Sequence, residues 1–124
     1  RIMIKSQDKR RFIRLEIPVE LVFIRKAGNV LKNAVSKDIS SEGLRFSTDE
    51  RLNPGEELEL KLILTSAANP VHAAGKVVWV SDASIDRKEC EVGIEFVKIE
   101  EDNKNTFLKF LCDMVYNQAK KVNL

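Results

Sequence analysis

Apolar and polar residues alternate with period two through most of the first hundred positions, which predicts strands with one face buried. From Phe12 to Ile24, the residues Leu15, Ile17, Val19, Leu21 and Phe23 alternate with Glu16, Pro18 and Glu20, so one half-buried strand is expected there. Pro18 has no N–H to offer a ladder and marks an edge or a bulge within it. Lys26 to Asn29 reads as a turn, and Val30 to Ile39 as a second strand. After the tight polar connection Asp38-Ile39-Ser40-Ser41-Glu42-Gly43, a third strand begins at Leu44-Arg45-Phe46-Ser47. Pro and Gly in Asn53-Pro54-Gly55-Glu56 predict a turn. Leu58, Leu60, Leu62 and Leu64 then give the cleanest alternation, a fourth strand. A fifth runs from Val71 to Val80, with a bulge or bend at Gly75 and apolar residues on both faces at Val77-Val78-Trp79-Val80. Past a charged hairpin loop over 81–89, Cys90, Val92, Ile94 and Phe96 form the inward set of a sixth.

From Asn103 the period lengthens. Phe107, Phe110, Leu111, Met114 and Val115 follow helical spacing, which predicts an amphipathic helix over about 103–122, capped by Asp102 or Asn103. Six short strands followed by one helix predict a mainly β fold. The expected architecture is a small six-stranded antiparallel barrel over about 12–98, with the helix packed outside it or across one end.

The chain has 124 residues, enough for one domain with a core. With 44% hydrophobic and 32% charged residues it has a globular composition, and no apolar run approaches the length of a membrane span. The start, Arg1-Ile2-Met3-Ile4, has no long apolar region or small-residue cleavage site, so a cytoplasmic location is expected. Cys90 and Cys112 are too few and too far apart for a disulfide scaffold or zinc site, and both are expected as reduced thiols in or near the core. His72, the one histidine, has no nucleophile near it in sequence, and no Gly-rich phosphate loop is present. An enzyme is therefore not expected, nor a cofactor or metal.

Net charge is only +2, which does not mark a general nucleic-acid binder. The distribution is more informative. Residues 1–14 carry six cations against one acid, while residues 86–102 carry seven acids against three cations. A field this local suits a small anionic ligand better than a long polyanion. Within the basic segment, Lys9-Arg10-Arg11-Phe12-Ile13-Arg14 places Arg10 and Arg14 four apart, on one face of an extended chain. Planar guanidinium groups pair with phosphate in a fork and stack on π-faces. In Asp38-x-Ser40-x-x-Gly43, the carboxylate and hydroxyl bond nearby polar groups, and glycine permits positive φ or close backbone approach.

Arg10-x-x-x-Arg14 before the first strand and Asp38-x-Ser40-x-x-Gly43 between the second and third together resemble the paired signature of PilZ domains, bacterial receptors for cyclic di-GMP. The resemblance continues in Gly43-Leu44-Arg45-Phe46-Ser47, the Pro54-Gly55 turn, Gly75-Lys76-Val77-Val78-Trp79 and Val92-Gly93-Ile94-Glu95-Phe96. It implies a PilZ domain over 9–124, preceded by an arm or linker remnant over 1–8. It further implies cyclic di-GMP as ligand, held by Arg10 and Arg14 on phosphate and purine, Asp38 on the guanine N1–H and N2–H₂ donors, Ser40 on phosphate or base, and Gly43 leaving room for the ring. Arg11 lies off the face of the Arg10 and Arg14 pair and is expected either in solvent or as an auxiliary contact. Lys9 stands where many members have a further arginine, which leaves one or two ligand molecules per chain open. The expected output is a change in the arm's position that signals to a partner protein or attached domain. Two other readings stay open: an adapter of this fold that binds no nucleotide, and a single-stranded nucleic-acid barrel. The latter calls for surface aromatics, whereas the phenylalanines fall at core positions and Trp79 in an apolar run.

Overall fold

The first departure from simple alternation comes at a proline. In the computed structural model, which describes residues 2–4, 13–26, 30–65, 67–82 and 88–122, the strand expected over 12–24 is two strands. The described chain runs β1 (Ile2–Ile4), β2 (Ile13–Leu15), β3 (Glu20–Arg25), β4 (Leu31–Ile39), β5 (Gly43–Thr48), β6 (Glu57–Ile63), β7 (Val71–Asp82), β8 (Cys90–Ile99) and α1 (Glu101–Val122). Between β2 and β3, around Pro18, the buried Ser36 side chain closes the gap. Its Oγ accepts from the Val19 N–H at 2.9 Å and donates to the Ile17 carbonyl at 3.1 Å. These bonds satisfy backbone groups that a ladder would otherwise hold.

All strand pairings are antiparallel, and the order β4-β3-β6-β7-β8-β5 closes through β5 on β4 into a six-stranded barrel. Closure uses the pairs Ser36↔Phe46, Asp38↔Arg45 and Ile39↔Leu44, with a register shift between Ser36 and Asp38. Outside this ring, β2 joins β4 at Leu15↔Ile39, and β1 pairs with β2, so a strand lies within the segment expected as an arm. Alternate residues of each strand fill the interior, among them Phe23 and Phe46 with ring centroids 5.1 Å apart, and Leu58, Leu60 and Leu62. The bulge expected at Gly75 is present as a register shift between Ala74 and Gly75. A side chain there would collide with Ile94 and Leu60, so the bend brings β7 close over the core.

The helix lies on the barrel with Phe107, Phe110 and Leu111 buried and Met114 and Val115 against the core. The Phe107 ring meets Phe96 of β8 edge-on at 5.5 Å. It begins at Glu101, two residues earlier than expected, so the two candidate caps lie inside its first turn. The Asn103 side chain instead accepts from the His72 N–H at 2.8 Å and ties the helix start to β7. Cys90 is buried as expected, but Cys112 is exposed. One residue past Leu111 is a turn of about 100° around the axis, enough to leave the buried stripe.

Candidate ligand-binding site

The barrel closure is also where charge collects. Arg14 stands in β2 beside Leu15, whose pairing with Ile39 brings the Arg14 side chain alongside β4. Its Nη1 donates to Asp38 Oδ1 at 3.0 Å. The other Asp38 oxygen, Oδ2, meets Arg45 Nη2 of β5 at 3.0 Å. Arg45 Nη1 goes on to Glu91 Oε1 of β8 at 3.0 Å, and Glu91 Oε2 accepts from Lys37 Nζ at 2.8 Å. Three cations and two anions thus alternate across four strands. Asp38 is only 4% exposed, and a carboxylate that deep requires partners on both oxygens. The Lys37 hydrogen bond, against the cost of burial and with help from Arg45, holds the Glu91 carboxyl below its ordinary value. Arg45 Nε is buried without a hydrogen-bond partner.

Ser40 and Gly43 shape the turn beside this chain of charges. The Ser40 N–H donates to the Gly43 carbonyl at 2.8 Å, and its buried Oγ accepts from the Glu42 N–H at 3.1 Å. Gly43 packs against the β8 backbone so closely that a Cβ would overlap the Ile94 carbonyl oxygen. This is the close approach expected of that glycine, made by a neighbouring strand.

Next to the charges lies a hollow of about 270 Å³, lined by Arg14, Glu42, Gly43, Arg45, Trp79, Gly93 and Glu95 among others. Its aromatic wall depends on a second register shift in β7, between Val77 and Trp79. The extra residue turns Trp79 outward, opposite Gly93, and leaves it 40% exposed. A Cβ on Gly93 would collide with the indole, so the ring lies across that glycine. One outward row of the barrel therefore reads Asp38, Arg45, Gly93, Trp79. It combines charge-paired guanidinium groups with an exposed aromatic, which suits a ligand bearing both phosphate and a flat base.

A family model, the PilZ domain, matches residues 8–112. The chain belongs to the PilZ domain family. Solved structures of PilZ-domain proteins and others share its fold. K. pneumonia MrkH in complex with c-di-GMP superposes with a TM-score of 0.75 at 18% identity, over 92% of this chain and 55% of that one. The PilZ domain of Escherichia coli YcgR with c-di-GMP gives 0.69 at 12% identity, over 94% and 98%. Bacillus subtilis MotI/DgrA, an inhibitor of motility, gives 0.72 at 14% identity, over 89% and 53%. The chain thus spans about half the length of the MotI/DgrA and MrkH chains. No curated protein matches the sequence.

Of the residues singled out in this PilZ domain, Arg14 and Asp38 are brought together, and Ser40 and Gly43 build the adjoining turn. Lys9, Arg10 and Arg11 lie outside the described residues. Arg45, Glu91 and Trp79 were not anticipated at the site. Arg45 was legible, since it lies two residues from Gly43 on the same face of a predicted strand. Trp79 was not, because its outward direction depends on a bulge that nothing in the local alternation marks. Among the described residues, no group of three or more His, Cys, Asp and Glu side chains could hold a metal, and no helix is long and apolar enough to cross a membrane.

Proposed function

We propose that this chain is a cyclic di-GMP receptor domain, working in the cytoplasm, whose ligand binds across the outward row that begins at Asp38. The observation that carries this reading is the Arg14–Asp38 pair at 3.0 Å beside an aromatic-walled hollow. The PilZ membership and the c-di-GMP complexes of YcgR and MrkH support the choice of ligand. Arg14, with Arg10 and the auxiliary Lys9 and Arg11, supplies charge-assisted bonds to the ring phosphates. Asp38 and Arg45 orient Arg14 from beneath, and Ser40 and Gly43 fix the turn along which the ring lies. Trp79 offers a face on which a guanine stacks. No step is chemical, so the domain binds and releases.

Signalling follows from where these groups come from. The arginines belong to the N-terminal segment, whereas Asp38, Ser40 and Gly43 belong to the barrel. A ligand held by both changes the position of the first relative to the second, and a partner protein or attached domain reads that change.

Isothermal titration with cyclic di-GMP tests the reading and gives the stoichiometry. The wild-type protein should bind, and Arg14→Ala should lose about 1.5–3 kcal/mol, the range for hydrogen bonds to charged groups. Full-affinity binding by a folded Arg14→Ala variant refutes it.

A further inference from the structure

A cyclic dinucleotide carries two bases to be recognised, and Asp38 meets arginines with both of its oxygens. Each of these contacts is at 3.0 Å, and the Asp38 side chain is almost wholly buried. A guanine presents two adjacent donors on its Watson–Crick edge, N1–H and N2–H₂, and a free carboxylate matches both at once. The hollow contains such a group. Glu95 is exposed on β8, two residues from Gly93 and therefore on the face that carries Trp79 and Arg45. Its partners in register are Gly43, which has no side chain, and Lys76, with which it forms no ion pair. Among the described residues its carboxylate makes no hydrogen bond or ion pair. Glu42 also lines the hollow, but from the turn after Ser40, whereas Glu95 stands on a strand paired on both sides. Sites built on strands hold their geometry better than sites on loops.

From this placement, and resting on the reading of the site as a cyclic dinucleotide receptor, we infer that Glu95 is the specificity-determining residue. Its carboxylate accepts from the N1–H and N2–H₂ of a guanine stacked at Trp79 and so selects guanine over adenine. Adenine offers a donor at N6 and an acceptor at N1. The acceptor would face Glu95 lone pairs, an unpaired polar contact that costs affinity.

The sign of one substitution separates this role from simple electrostatics. Glu95→Gln keeps the shape but replaces two acceptors by one acceptor and one donor, the complement of adenine. It also removes a negative charge near an anionic ligand. Were Glu95 only a charge on the face, its removal would strengthen binding of every cyclic dinucleotide. As a base reader, its conversion to Gln should weaken cyclic di-GMP about 5- to 150-fold, the range for one bidentate base contact, and strengthen cyclic di-AMP. The ratio between the two nucleotides should narrow accordingly.

Titrating wild-type and Glu95→Gln protein with cyclic di-GMP and cyclic di-AMP decides the matter, with melting curves to check that the exposed substitution leaves the fold intact. Weaker cyclic di-GMP and stronger cyclic di-AMP binding supports the assignment. Equal or stronger binding of both nucleotides overturns it, as does the same exchange of preference in Glu42→Gln but not in Glu95→Gln. A wild-type protein that binds neither nucleotide overturns the receptor reading itself, and this assignment with it.

Discussion

Single residues at the barrel closure set the charge balance on which the site depends. Glu91 is the clearest case, because Lys37 and Arg45 share its carboxylate and depress its titration below the ordinary 4.5. A carboxyl whose folded-state pKa is lowered stabilises the fold above its unfolded value, and that stabilisation fades as pH falls through the folded value. Glu91→Gln should therefore lower the melting temperature at pH 7, with the gap closing below pH 4.5; a constant gap across that range would show that Glu91 acts through packing alone. The residues of this network were unevenly visible in the sequence. Arg14 is marked by its spacing from Arg10 on one face of an extended chain and Asp38 by the polar connection it opens, whereas only the resemblance to the PilZ signature joins the two. Trp79 could not be picked out, since a single inserted residue reverses parity, and Val77-Val78-Trp79-Val80 reads apolar on both faces whichever residue is extra.

Elements were more legible than their joints. The six barrel strands are alternations of six or more residues, and burial on one face enforces them whatever the turns do. The break at Pro18 was read as an edge or bulge because proline fixes what a backbone cannot do, not where the chain goes next. What bridges that break is Ser36, 17 residues beyond Val19 and 19 beyond Ile17, and invisible to any local pattern. Ser36→Ala should cost about 1–3 kcal/mol, the penalty for leaving buried partners such as the Val19 N–H unsatisfied, measured by denaturant unfolding. An unchanged midpoint would mean that water replaces the hydroxyl. Phe110 on α1 is 4% exposed, and Phe110→Ala should destabilise by about 3–5 kcal/mol. A melting temperature unaffected by that change would show that the helix contributes little to holding the barrel.

For the molecule as a whole, ligand binding should show as uneven protection. Amide hydrogen exchange with cyclic di-GMP should slow most in residues 5–14 and 38–43, and little in the β6 strand Glu57–Ile63, whose ladders are already complete on both sides. Equal protection of 5–14 with and without ligand would leave binding possible but remove the repositioning. The route by which such a change would travel is constrained by one feature of the ladder. β1 and β2 pair with each other over three positions, yet the pair joins the barrel through the single register position Leu15↔Ile39. Sliding any wall strand would break a row of hydrogen bonds, whereas tilting β1–β2 about that one position breaks almost none. Arg14 is the next residue along. A ligand that pulled on its guanidinium would act one residue from the fulcrum of a lever, and a small displacement there would grow toward the other end of the pair, where Ile4 faces Ile13.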